Sequence, residues 1–488
     1  MVSVNDDDLT PVERELVDHC AAGTICYLFD RPDDQRRVSA SVLYELCVRT
    51  RWPVHAKGVQ LAGASIDEPL DFQYATLRIP LVLHGCNIAA RLTLSDAIAP
   101  GIDLIGCAIV DELNAELLRA HHLALHGSTV KVLRLTGARI DRHLGLIDTH
   151  FTGTLADGNS LNADAVHVGD AFLRGDFRTA GSVRLVNATV DRDLDLSGAS
   201  LLGIDADGYS LAAQRVRVGG DVALRAKFMA PGDVGLTGAA INGRLVIQDV
   251  LGIGGLRLEG ARCAVLQDEK DAWPPSGRLA LRSFQFGALA GGDTTLERRL
   301  DWVRRQWADD WSTDPYEQLA AYYSNTGDEA AARKMRIAKN DDELDHLKRT
   351  RKKGSLAYRF WRRPFGWLVG YGYRRWPAGL LLVAILMTAG GLFYWAERDG
   401  AMVPNERTVD DAGNPLPCGE AYPCFNSWLY GADVVLPIID FGQDNAWRPV
   451  ETSRGDQWWI WARWAFIAIG WTLASVFVAA FTALVQRG

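Results

Sequence analysis

The sequence predicts a mainly β protein: a parallel β-helix, a solenoid with about 21–22 residues per coil, with a helical cap, a helical linker and a C-terminal two-helix transmembrane hairpin. Three observations carry this. A pattern close to Leu-x-Gly-Ala-x-Ile returns at near-constant spacing between Val59 and Gly292. The stretch Trp376 to Trp395 holds no formal charge and, at about twenty residues, is long enough for a helix to cross a hydrocarbon core of about 30 Å. The charge sign reverses across that stretch. Before it stand Arg349, Arg351, Lys352, Lys353, Arg359, Arg362, Arg363, Arg374 and Arg375 with no acid among them; after it Glu397, Asp399, Glu406, Asp410, Asp411 and Glu420 face only Arg398 and Arg407.

The chain divides in order. Residues 1–58 form a helical N-terminal cap, with Thr10 as helix cap, Pro11 in the first turn, and Leu16, Cys20, Val42, Leu43, Leu46 and Cys47 as an apolar face. Residues 59–292 form the repeat domain. The unit appears at Leu61–Ile66, Leu83–Ile88, Leu104–Ile109, Leu135–Ile140, Leu185–Val190, Leu196–Leu201, Leu236–Ile241 and Leu258–Cys263. Alternating apolar and polar residues favour short strands, and the recurring small pair marks a tight corner. Outward positions include Asp67, Arg139, Arg184, Asp193 and Arg257. The pattern blurs at Glu112–Ala120 and Phe151–Ala163, where bulging loops are expected.

Residues 293–348 turn helical: Leu296, Leu300, Val303 and Trp307 share one face, and Tyr316 to Ala338 resembles one tetratricopeptide-like helix pair. One pair makes no peptide groove, so it is read as a spacer. Residues 349–375 form a basic juxtamembrane segment whose cations suit anionic lipid headgroups. Transmembrane helix 1 covers 376–395 and transmembrane helix 2 covers 457–486, where Arg463 is placed to snorkel. Residues 396–456 are an extracytoplasmic loop with a possible re-entrant segment. Trp361, Trp367, Trp376, Trp395, Trp458, Trp459, Trp461 and Trp464 stand where interfacial anchors belong. Lysine and arginine stay on the cytoplasmic side of a first span, so the β-helix and both termini are expected in the cytoplasm, at the inner (plasma) membrane. The start, MVSVNDDDLTPVEREL, is acidic and polar, unlike a signal peptide.

The repeats, the segment Val434 to Trp447 and the closing IGWTLASVFVAAFTALVQR carry a family likeness. The repeat domain resembles bacterial pentapeptide-repeat and related β-helix proteins, because the motif divides into two five-residue units. The whole chain looks like a group of bacterial membrane proteins that join such a β-helix to two C-terminal spans, some of them named membrane-associated oxidoreductase. The motif here departs from ideal pentapeptide repeats, which prefer Asp or Asn after the alanine.

A net charge of −8 and a pI near 5.7 argue against a nucleic-acid partner held by counterion release. Cys20, Cys26, Cys47, Cys86, Cys107 and Cys263 precede the first span without a CxxC pair and are expected as buried thiols. Cys418 and Cys424 lie beyond it and are expected to form a disulfide. The sequence holds no metal-ligand spacing, GxGxxG dinucleotide fingerprint, GxSxG, HExxH or Walker motif, so no cofactor, no metal and no catalytic residue is assigned.

Two function classes remain. In the first, the solenoid is a membrane-anchored, non-enzymatic scaffold or sensor that binds a protein partner on its face. In the second, the chain is an oligomeric ion-conducting membrane effector of stress or antiphage defence, gated by the solenoid, with Pro437, Asp440, Gly442, Gln443 and Asp444 as the pore or re-entrant segment; the other reading of that segment, which the absence of a TVGYG filter favours, is an interfacial cap held by the Cys418–Cys424 bridge with Asp440 in solvent. A homo-oligomer is expected. An oxidoreductase, as the resemblance suggests, is the third reading.

Overall fold

The computed structural model describes residues 6–49, 51–292, 294–350, 376–405, 418–419, 422–436, 438–450 and 457–485. The chain separates into two compact units, Met1–Thr350 and Arg351–Gly488.

The first unit is a parallel β-solenoid of about 11 turns. Its strands form two 15-stranded sheets. The inward positions stack in register. One column runs Ile102, Leu123, Leu144, Ala171, Leu194, Val222, Leu245, Leu266 and Leu289. The facing column runs Leu70, Leu92, Leu113, Leu133, Leu161, Val183, Leu211, Val234, Leu256 and Leu279. All are buried in one continuous core. Successive side chains of a strand point to opposite faces, so each inward aliphatic is followed by an outward residue.

The Gly-Ala pair of the repeat is the corner. Its first residue takes the left-handed backbone conformation, as at Gly198 (φ 81°), where a side chain would also meet the Gly175 carbonyl at 2.7 Å. Its second residue points inward where the coil narrows: Ala64, Cys86, Cys107, Ala138, Ala188 and Ala199 are all buried. Cys107 and Ser128 stand at equivalent corners. The Cys107 thiol donates to the Leu83 carbonyl (3.4 Å) and the Ser128 hydroxyl to that of Leu104 (2.7 Å). The six cysteines of this unit are buried free thiols; burial pushes Cys20 up to about 12 and Cys26 up to about 11.

At Glu112–Ala120, where a loop was expected, the coil turns an ordinary corner. Leu113, Ala115, Leu118 and Ala120 stay buried, and Leu117 itself adopts the left-handed conformation (φ 57°) that glycine takes elsewhere. Phe151–Ala163 does contain a loop, residues 152–158. A second loop, residues 202–208, has the same build. Ser160 donates to the Gly153 carbonyl (2.7 Å) and Ser210 to that of Gly203 (2.8 Å). Each loop lengthens its coil: His167 pairs with Thr189, but Arg139 pairs forward to His167 and Thr189 to Arg217.

Both ends of the solenoid are capped. At the N-terminal end helix α1 (Pro11–Ala22) starts at a capping box: the Glu13 backbone N–H donates to Thr10 Oγ1 (3.2 Å) and the Thr10 N–H to Glu13 Oε2 (2.9 Å). Helix α2 (Ala40–Tyr44) runs on into a π-helical turn, Glu45–Arg49. Together α1, α2 and this turn bury Leu16, Val42, Leu43, Leu46 and Cys47 on the first coils. At the other end lie α3 (Leu296–Val303), α4 (Asp314–Asn325) and α5 (Glu329–Thr350). Tyr316, Leu319, Ala320, Tyr323, Ala331, Ala332 and Met335 join the same core as the coils, so these helices are a lid on the last rung. A buried ion pair locks the lid: Arg299 donates two hydrogen bonds to Asp268 (3.0 and 2.6 Å), and Trp273 Nε1 donates a third (2.8 Å).

In the second unit, helix α6 (Trp376–Arg398) contains Leu380–Arg398, the one segment among the described residues apolar and long enough to cross a membrane. Three further helices follow: α7 (Ser427–Val435), α8 (Gln443–Ala446) and α9 (Gln457–Val485).

Candidate functional site

The sequence points to the segment between α6 and α9, and there the structure places a compact hairpin. Asn426 caps α7, its side-chain oxygen accepting from the Trp428 and Leu429 N–H groups (3.1 and 3.2 Å). Small residues let α7 approach both long helices. A side chain at Gly431 would meet Gly390 N of α6 at 2.7 Å, and one at Gly470 of α9 would meet the Val435 carbonyl at 2.2 Å. Phe393, Tyr430, Val434 and Trp459 fill the contact, with the Phe393 and Tyr430 rings edge to face at 4.7 Å. Gly470 lies about 20 Å along α9 from its start, at about 1.5 Å per residue. The hairpin therefore descends along the long helices rather than resting across their ends.

After Leu436 the chain turns, and one carboxylate organises the return. Asp433 accepts from the backbone N–H groups of Phe441 (2.9 Å), Gln443 (2.8 Å) and Asp444 (2.9 Å). Asp440 accepts from the Gly442 N–H (2.7 Å) and from Asn445 Nδ2 (3.3 Å), with Gly442 in the left-handed conformation. Gln443 accepts from the Asn426 N–H (3.0 Å) and donates to the Cys424 carbonyl (3.2 Å). Asp444 accepts two hydrogen bonds from Arg463 of α9 (2.9 and 3.1 Å), so this cation is paired within the unit. Strand Met402–Pro404 then pairs antiparallel with Trp447–Pro449, and Cys418 and Cys424 are joined by a disulfide.

Of the candidate pore residues, Asp440, Gly442, Gln443 and Asp444 thus meet in one turn, and Pro437 lies outside the described residues. So do Arg351 to Arg375 of the basic segment, and the side chain of Arg349. Sequence reasoning missed Asp433, Asn426 and the partner of Arg463. Their signal was available: charged and amide side chains inside an apolar stretch require partners nearby.

A second candidate surface lies on the solenoid. Phe172, Asp195, Ala223, Val246 and Gln267 stack in one outward column. The small side chain of Ala223 leaves a trough there, with one cavity of about 260 Å³ bordered by Arg174, Asp221 and Arg244. A neighbouring cavity of about 490 Å³ is lined by Ser197, Arg225, Gln248 and Glu269. Charges along the trough pair across rungs: Arg174 with Asp195 (3.2 Å) and Arg244 with Asp221 (2.9 Å). Burial pushes the Asp221 carboxyl up, but hydrogen bonds from Arg244 prevail and hold it below its ordinary value. Nearer the N-terminal end of the same face the His122 and His143 rings stack at 5.4 Å, and His122 Nε2 bonds Asp103 (3.2 Å). Among the described residues no group of His, Cys, Asp and Glu is arranged to hold a metal ion.

No family model, curated protein or solved structure matches this chain.

Proposed function

We propose that the protein is a membrane-anchored, non-enzymatic scaffold or sensor whose solenoid binds a protein partner in the cell interior. The observation that supports this most is the outer face of the solenoid. Register stacking sets outward side chains in columns at about 4.8 Å per rung, and the charged ones beside the trough pair across rungs. The columns form a long, shallow, polar surface of the size a protein partner covers. The second unit supplies location: Leu380–Arg398 has the length and composition of a span, and the exposed Trp395, Trp458, Trp461 and Trp464 suit an interfacial belt. The basic run from Arg349 to Arg375 favours a cytoplasmic solenoid at the inner membrane.

The test is site-specific photocrosslinking in cells. A crosslinker at Gln248, inside the trough, is expected to capture one discrete partner, and one at Thr237, in a turn outside the trough, is not. Arg225→Glu together with Arg174→Glu should abolish the capture without changing circular dichroism. A solenoid that crosslinks to nothing from either face contradicts the scaffold reading.

A further inference from the structure

We infer that the partner presents an acidic surface, and that Arg215, Arg217 and Arg262, which stand together on the trough-bearing sheet without a carboxylate, receive its Asp and Glu side chains. The inference rests on the scaffold reading above and deepens it by naming the chemistry of the partner.

The two sheets use their cations differently. On the sheet opposite the trough every lysine and arginine within a strand meets a carboxylate: Lys131 with Asp111 (3.3 Å), Arg134 with Glu112 (2.5 Å), Arg178 with Asp176 (2.6 Å), Arg184 with Asp164 (2.6 Å) and Arg257 with Asp233 (2.8 Å). On the trough-bearing sheet Arg139 and Arg244 are paired in this way, with Asp141 (3.3 Å) and Asp221 (2.9 Å). Arg119, Arg142, Arg217 and Arg262 are exposed there, and none has a carboxylate within 4 Å among the described residues. The trough's own Arg225 gives its one hydrogen bond to Ser197 Oγ (3.2 Å).

Register gathers two of the free cations. Arg217 pairs with Ala240 and Ala240 with Arg262, so the two guanidinium groups stand in one outward column with only a methyl group between them. Their outward neighbours along the chain are Arg215 and Gly219 for the first, Gly260 and Ala264 for the second. Arg215 donates Nε–H to the Asn187 side chain (2.7 Å) and so adds a third cation to the patch. Glu259, the acid closest in sequence to Arg262, accepts instead from Thr237 (2.9 Å). The spacing suits the acidic side chains of a protein. Two rungs are about 10 Å at about 4.8 Å per rung, farther than one phosphate group bridges and close to three residues of extended chain. Each guanidinium can hold a carboxylate by two parallel hydrogen bonds. An anionic lipid sheet meets the whole net charge of −8, whereas side chains at contact distance sense the cations within a Debye length of about 8 Å.

The experiment uses the full chain, purified in a nonionic detergent, with fluorescent poly-L-glutamate as the probe. Wild-type protein should bind it at about 0.15 M salt. Arg217→Gln with Arg262→Gln should weaken binding about tenfold, whereas Lys131→Gln with Arg178→Gln, which removes the same charge from the opposite sheet, should leave it within about twofold. All four side chains are exposed, so circular dichroism should stay unchanged. In cells the first pair should also reduce capture by the crosslinker at Gln248, and the second should not. Capture that persists while poly-L-glutamate fails to bind the wild type overturns the inference and leaves the scaffold reading standing. So does equal weakening by the two pairs, which is attraction without a site. Phosphatidylglycerol that displaces poly-L-glutamate when added to the micelles assigns the patch to lipid headgroups and also overturns it. A wild-type solenoid that captures nothing removes the scaffold reading itself and the inference with it.

Discussion

The Arg299–Asp268 pair ties the lid to the solenoid through a buried charge contact. Both groups are buried, with two hydrogen bonds between them and the Trp273 and Trp302 rings beside the guanidinium. Removing one partner leaves an uncompensated buried charge, so Arg299→Ala is expected to cost about 3–5 kcal/mol in urea unfolding of the full chain. The corners make a second prediction. Ala165 holds the left-handed conformation (φ 54°) that costs a non-glycine residue energy, so Ala165→Gly should be neutral or stabilising by up to about 1 kcal/mol. Gly198→Ala, with both strain and the Gly175 carbonyl against it, should destabilise. The histidines set a pH dependence. Burial holds His126 and His143 below their ordinary value of 6.5, in the second case helped by His122, Arg142 and His126. The unfolded chain then binds the extra protons, so the stability these groups contribute is full above about 6.5 and is lost as pH falls below it. Unfolding free energy should therefore drop from pH 7 to 5.5, and His126→Gln with His143→Gln should flatten that slope.

At the scale of elements, the close approach of α7 to both long helices is the feature to test. Gly470→Val places a side chain against the Val435 carbonyl and should expel α7, exposing the turn after Leu436 to proteolysis while the solenoid stays intact. The same scale shows what the sequence made legible. Leu-x-Gly-Ala-x-Ile disclosed the coil because glycine meets the backbone demand and alanine the steric one at the same corner. Where Leu117, Ala165 or Arg215 takes the left-handed position, the backbone is the same but the letters are not, so the pattern blurs at Glu112–Ala120 although the coil continues. The second loop was signalled by Ala206-Asp207-Gly208 followed by Ser210-Leu211. These residues match Ala156-Asp157-Gly158 and Ser160-Leu161, a repeat at a longer interval than the coil. In the hairpin, Asp440 and Gly442 stood out as residue types, but Asp433 did not. It acts on three N–H groups eight to eleven residues away, and only the fold brings them to it.

Across the whole molecule, the solenoid behaves as a stack in which each coil contacts chiefly its neighbours, so its ends need capping and its length is set by the caps. The helices α3–α5 serve that purpose, and a tetratricopeptide-like sequence pattern records the packing of α4 on α5 but not their use as a lid. The second unit has its own core around Phe393, Tyr430 and Trp459. We infer that this unit lies in a membrane and keeps the solenoid inside the cell. The most direct measurement places a single reactive thiol, Leu202→Cys, on the exposed loop of the solenoid and treats cells with a membrane-impermeant maleimide. Labelling is expected only after the inner membrane is permeabilised, with the protein retained in membranes after alkaline extraction. Labelling in intact spheroplasts, or recovery of the full chain in the soluble fraction without detergent, contradicts it.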